Sequence, residues 1–241
     1  MRNTLINTAT TKKAALSLAT LVSFCLMFTV SCGSNGQTPS GALPTWKVGD
    51  TWTMNGSFHN GEITIVDTVT GEQVFNGIDC YTVTTQENVT SMGDIFTGTE
   101  TVDKTTLEDI GSEVSSSSSM IDETPYTTTF SMSYNYSVKP YPLSVGKTWV
   151  TTVNTTITEL KMGQNQTTIE TDSYTRKVEK VESITVPAGT FQCFKILTYN
   201  SSTNAVAATE WVTDVTGGHA VKGIYNQTMV TLELTSYSLS K

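Results

Sequence analysis

Histidine is almost absent from this sequence: His59 and His219 are the only two. Neither has a second histidine or a cysteine at metal-ligand spacing, which excludes a recognisable zinc set. His59 adjoins Asn60-Gly61 and His219 follows Gly217-Gly218, so both are expected on exposed turn tips. There is no Gly-x-Ser-x-Gly elbow, no glycine-rich phosphate cradle and no Asp-x-Asp-x-Asp-Gly calcium loop. Glu108-Asp109 and Asp122-Glu123 are adjacent carboxylates, and adjacency on a strand sends such a pair to opposite faces. Glycoside hydrolysis instead needs two carboxyls about 5–10 Å apart across a cleft. These absences point to a protein that is not an enzyme and uses neither metal nor cofactor.

Charge is sparse as well. Charged residues make up 15% of the chain and hydrophobic ones 37%. The balance is threonine, serine, asparagine and glycine, a mixture typical of β-rich extracytoplasmic proteins; threonine, being β-branched, favours strands. The net charge of −8 argues against nucleic acid as a partner and against direct adhesion to anionic headgroups. The six prolines, at 39, 44, 125, 140, 142 and 187, stand at readable boundaries. Beyond the N-terminal segment, no window longer than a turn carries a 3.6-residue apolar stripe. Residues 105–110 are expected to form at most one helical turn, and the serine run 115–119 a solvated loop.

What is present begins at the N-terminus. Arg2, Lys12 and Lys13 are the only charges before Cys32, and residues 14–30 are rich in Ala, Leu, Val, Phe and Met. A basic start followed by an apolar run is the pattern of a secretory signal. Val30-Ser31-Cys32-Gly33-Ser34 then resembles the lipobox of bacterial lipoproteins, a resemblance that implies a lipid-modified Cys32 as the mature N-terminus. On that reading residues 1–31 are a signal peptide with a signal helix, and residues 32–43 are a flexible tether. The protein would sit on the extracytoplasmic side of the cell membrane with the membrane as its partner. Loss of the segment moves the net charge from −8 to −11. Cys25, preceded by the bulky Phe24, belongs to the apolar run. Cys80 and Cys193 remain, either as one disulfide or as two buried thiols.

The rest of the chain repeats itself. Val48-Gly49-Asp50-Thr51-Trp52 returns as Val145-Gly146-Lys147-Thr148-Trp149. The stretch from Asn76 to Val83 echoes that from Ala188 to Ile196, and 109–114 loosely matches 214–221. Three matches in the same order predict two copies of one unit, residues 44–140 and 141–241. Each copy reads as an antiparallel meander of five to six strands. Asn60-Gly61 marks one hairpin, 162–165 a second and Val186-Pro187-Ala188-Gly189 a tight reversal. A last strand is expected over 228–239. The fold class is therefore all-β: two tandem meanders forming curved sheets, a half-barrel or a sandwich. Trp46, Trp52, Phe75, Tyr81, Trp149, Phe191, Phe194, Trp211 and Tyr225 are expected on the buried face.

The second copy carries Val-Gly-Lys-Thr-Trp, then Val-Pro-Ala-Gly-Thr-Phe-Gln-Cys-Phe-Lys-Ile, then Glu210-Trp211-Val212, Gly218 and Val221-Lys222. This series resembles a widespread group of uncharacterised "VPAGTF" envelope proteins, some of them similar to the LolA/LppX-type half-barrel carriers. The resemblance implies a cell-envelope protein with a concave apolar face for a hydrophobic ligand, although no residue of this chain can be assigned to that face. The favoured function is a non-catalytic surface lipoprotein that binds a hydrophobic or envelope-protein partner or acts as a scaffold. A lipid carrier is the alternative, and an envelope hydrolase a distant third. Seven Asn-x-Ser/Thr sites follow Cys32, at Asn55, Asn88, Asn135, Asn154, Asn165, Asn200 and Asn226; they are surface acceptors or ordinary polar residues.

Overall fold

The computed structural model describes residues 39–58, 61–90, 94–116, 120–121, 124–161 and 164–240. The expected signal helix, Cys25, Cys32, His59, Ser117–Ser119 and Asp122-Glu123 lie outside them. Every regular element among the described residues is a strand. In chain order these are β1 (Thr51–Phe58), β2 (Gly61–Phe75), β3 (Ile78–Val89), β4 (Asp94–Asp103), β5 (Asp109–Ser116), β6 (Met120–Ile121) and β7 (Thr124–Tyr136). There follow β8 (Thr148–Lys161), β9 (Gln164–Val186), β10 (Gly189–Asn200), β11 (Val206–Val212), β12 (Ala220–Tyr225) and β13 (Val230–Ser238).

Hairpins join most neighbours, and β1 pairs with β13, so one sheet runs from β5 through β1 and β13 to β7. The two-residue β6 forms only a ribbon with β7. β5 then pairs with β7, Ser112 opposite Met132 and Val114 opposite Phe130, which closes twelve strands into an antiparallel barrel. The expected half-barrel or sandwich is thus corrected. An open meander has one apolar face left to cover. Strand twist coils the sheet until its edges meet, and closure then covers that face with the sheet itself and leaves no unpaired edge.

Period-2 alternation sorts the side chains. On β2, Ile63, Ile65, Asp67 and Val69 are buried; on β3, Tyr81, Val83, Thr85, Glu87 and Val89. The outward positions of β3 are Thr82, Thr84, Gln86 and Asn88. β13 contributes Val230, Leu232 and Leu234 to the interior. Threonine outside and aliphatic residues inside is the reverse of a lipid-embedded barrel, which carries its apolar band outward.

The turns follow from their residues. Asn76-Gly77 links β2 to β3 with both φ angles positive, 49° and 81°, as a two-residue type I′ hairpin requires. Gly49 (φ 97°) and Gly146 (φ 88°) likewise take positive φ where they lead into β1 and β8, the strands of Trp52 and Trp149. The glycine N–H groups donate to the carbonyls of Val69 and Val178, whose own N–H groups donate back to Asp50 and Lys147. The segment 105–110 forms no helix: the Leu107 N–H closes a single turn onto the Asp103 carbonyl at 2.7 Å, and β5 begins at Asp109. Asp103 holds the Thr105 N–H and hydroxyl at 2.7 and 2.9 Å, and Leu107 takes φ 51°. Of the aromatic side chains expected inside, Phe75 is the exception: it stands exposed on the β2–β3 hairpin.

The reversal at 186–189 yields a stability prediction. Gly189 sits opposite Val186 with φ 141°, and an added Cβ would meet the Phe191 ring at 3.4 Å. Valine is strained at that φ, so Gly189→Val should cost about 1–3 kcal/mol. A lowered thermal midpoint is the expected reading. An unchanged midpoint would show that the hairpin relaxes without penalty.

Candidate functional site

One end of the barrel is closed by aromatic rings. Trp46 and Trp52 lie 5.2 Å apart between ring centroids, and Trp46 lies 5.4 Å from Tyr81. Their indole N–H groups donate to the carbonyls of Gly217 and Thr216, pinning the connection between β11 and β12 over this end. His219, expected on a loop tip, is instead buried beneath that connection. Its ring stacks on Trp52 at 5.0 Å, and its Nε2 lies 2.8 Å from Asp67 Oδ2. The Thr85 hydroxyl donates to the other oxygen of Asp67 at 2.8 Å. The two glycines that suggested an exposed tip here (φ 65° and 92°) let the chain fold inward.

Below this plug the interior divides into two walls. β1, β2, β3 and β13 supply Met54, Ile63, Ile65, Val83, Val89, Leu232 and Leu234. Around the rest of the circumference buried aliphatic side chains such as Val153, Val178, Ile196 and Val212 are interspersed with polar ones. Arg176 on β9 faces inward, in register with Trp149 on β8 and Thr198 on β10. Glu210 on β11, Glu108 just before β5, Asp109 on β5, Glu100 on β4 and Glu87 on β3 are buried with it. Tyr134, Tyr174 and Tyr225 line the same belt, and the half-buried Tyr136 packs against it. The Tyr225 hydroxyl donates to Glu210 Oε1 at 3.1 Å, and the Tyr136 hydroxyl to the Asp109 carbonyl at 2.8 Å.

Five belt carboxyls thus share an interior with one guanidinium, beside a sixth, Asp67, that is paired with His219. Burial raises all five, because a desolvated carboxylate is costly. Glu108 is pushed to about 8, with Arg176 pulling the other way. Glu210 is pushed to about 7, opposed first by Arg176 and then by the Tyr225 hydroxyl. Asp109 reaches about 7, held down by the N–H of Gly111 at 2.9 Å. Glu87 and Glu100 rise well above the carboxylate range, burial first, with Asp67 adding to both and Asp109 to Glu100. Neither oxygen of Glu87 or of Glu100 has a hydrogen-bond partner among the described residues, nor do the buried hydroxyls of Thr151 and Thr198. Each such group is an unmet demand inside the barrel. No three His, Cys, Asp or Glu side chains among the described residues come together as a metal site.

Of the residues singled out in the sequence, Cys80 and Cys193 are buried thiols on β3 and β10, six strands apart around the sheet and not joined by a disulfide. Burial raises the Cys80 thiol. Cys32 lies outside the described residues. The belt itself went unread, although its signal was present: Arg176 falls in phase with Tyr174 and Val178, and Glu210 in phase with Ala208 and Val212. A charge at the buried phase of an alternating strand marks an interior polar group.

Fold and interior together define a water-facing, closed antiparallel barrel with an aromatic plug and a titratable belt. A family model described as DUF3108-like matches residues 81–217, more than half of the 241-residue chain. The chain belongs to the DUF3108-like family. The match runs from β3 to the connection after β11 and so takes in strands from both halves of the barrel. No curated protein and no solved structure matches the chain.

Proposed function

We propose that this protein is a non-catalytic, lipid-anchored binding barrel of the cell envelope whose interior belt receives a small organic cation with an apolar part. The observation that carries the ligand assignment is the set of buried groups without partners. Glu87, Glu100, Thr151 and Thr198 offer unmet hydrogen-bonding capacity, and carboxyls outnumber the guanidinium five to one in the belt. An amine or quaternary ammonium group supplies a positive charge that favours ionisation of these carboxyls, the belt tyrosines offer ring faces to it, and the aliphatic side chains of β1, β2, β3 and β13 suit its hydrocarbon part. An anionic lipid headgroup, by contrast, finds a single guanidinium that already faces Glu108 and Glu210. The lipobox resemblance at Cys32 supports the anchor and the extracytoplasmic location. The same reading treats 44–140 and 141–241 as two copies of a six-stranded unit, supported by the matching turns at Gly49 and Gly146.

Titration calorimetry with a panel of alkylamines and quaternary ammonium compounds tests the assignment. Binding should release protons to the buffer and tighten from pH 6 to pH 8, because the cation competes with the protons on Glu108, Asp109 and Glu210. Acyl chains or sugars co-purifying in native mass spectrometry, with no amine bound, would overturn it. An envelope hydrolase is the second reading. Glu108 and Glu210, at about 8 and about 7, lie in the range useful to a general acid or base. Turnover of an envelope substrate, lost in Glu108→Gln and Glu210→Gln alike, would select it.

A further inference from the structure

The end of the barrel at which the chain arrives carries six of the eight exposed large hydrophobics among the described residues, three of them on one hairpin tip. The antiparallel order places the 39–50 segment, the β2–β3 turn and the connections 104–108, 137–147 and 213–219 at one end. β2 alternates between buried and part-buried positions up to Val69, and β3 is buried again from Cys80, but every residue from Glu72 to Asp79 is exposed. The hairpin therefore outruns the barrel wall on both of its faces, by four residues a side, about 13 Å at strand rise. Val74 is 68% exposed; Ile78 and Phe75 beside it are 39% and 37% exposed, the Phe75 ring lying next to Gly111 of β5. Val48, Val138 and Val145 are exposed in the connections at the same end, whereas Ile169 and Met229 are the exposed large hydrophobics at the other, among the described residues.

The path of the chain gives this tip a direction. Gly41, within the expected tether, is fixed to the barrel. Its carbonyl accepts the Leu143 N–H at 3.0 Å, its φ is 66°, and a Cβ there would collide with the Leu143 carbonyl oxygen. Leu43 packs against the core. Only eight residues lie between Cys32 and Gly41, nine steps of chain that span at most about 32 Å when fully extended. β2, with 15 residues, is about 50 Å long, so an anchor at Cys32 keeps this end, and not the far one, near the membrane. The local charge is permissive. Lys47, Lys104, Lys139 and Lys147 stand here against Glu72, Asp79, Asp103 and the half-buried Asp214, with Glu72 tied to Lys104 at 2.6 Å and with Asp50 and Glu108 buried, so the exposed charges at this end are close to balanced.

The geometry points to this end as a bilayer-contacting surface, with Val74, Phe75 and Ile78 seated at the boundary between headgroups and acyl chains and the lysines at headgroup level. The proposal rests on the lipid-anchor reading above. It is tested on the full chain, expressed with its signal and reconstituted into phosphatidylethanolamine–phosphatidylglycerol vesicles. Val74→Cys and, as the far-end control, Met229→Cys are labelled with bimane; Cys80 and Cys193 are buried. Brominated acyl chains should quench the label at 74 several-fold more than the label at 229. Equal quenching at the two positions in vesicle-bound, lipid-modified protein would overturn the docking surface and leave the anchor intact. A chain whose mass lacks the lipid overturns the anchor reading. The docking surface then falls with it if the label at 74 is unquenched, and stands alone if that label is still quenched.

Discussion

Arg176→Leu should destabilise the barrel by on the order of 3–5 kcal/mol at pH 8, the loss expected when a buried charge group loses its counter-charge. For a chain of this size that is a drop of roughly 6–20 °C in thermal midpoint. Arg176 is the guanidinium that opposes the upward shifts of both Glu108 and Glu210. Without it, carboxyls that ionise near neutrality would do so in an interior with no compensating arginine. The loss should shrink at pH 5, where those groups are protonated and need no partner. The wild type should show the same sign more gently. Asp109 and Glu210 at about 7 and Glu108 at about 8 bind protons that the unfolded chain has released above its ordinary carboxylate range. Folded-state stability therefore declines as pH rises from about 4 to about 8. Glu108→Gln should flatten the upper part of that decline. Equal destabilisation of Arg176→Leu at pH 5 and pH 8 would show that the side chain acts by packing and not by charge.

The belt also explains where sequence reading succeeds and where it stops. Strand content was legible because threonine-rich alternation admits little else, and the turns were legible because glycine and proline fix them locally: Asn76-Gly77 and Pro187 to Gly189 sit where their backbone preferences put them. Closure was not legible. Whether β5 finds β7 is decided by accumulated twist and by the stagger of all twelve strands, which no local segment encodes. His219 shows the same limit from the other side. Two glycines make a turn in any context, but only the assembled barrel reveals that this turn folds inward onto Trp52 and Asp67. Glu87, Glu100, Arg176 and Glu210 lay within reach, since each occupies the buried phase of its strand. Their grouping in one belt depends on register between strands far apart in sequence.

Cys32→Ser should convert the protein from membrane-bound to soluble or leave its signal uncleaved, an all-or-none change in fractionation. Each methylene of an acyl chain buried in the bilayer contributes about 0.8 kcal/mol, so an anchor with two or more chains holds a protein essentially permanently. The exposed tip is far weaker: fully burying a side chain such as Val74, Phe75 or Ile78 contributes about 1.5–3 kcal/mol, and association entropy opposes it. The tip can therefore orient a barrel already held at the surface but cannot hold one there alone. Salt washing of membranes should release neither wild type nor any apolar-tip variant, whereas Cys32→Ser should either appear in the supernatant without treatment or stay with the membrane at the mass of the uncleaved chain. A Cys32→Ser chain that is processed as wild type and stays with the membrane fraction would show that something other than a lipid at Cys32 retains it. The lipobox reading would then have to be given up.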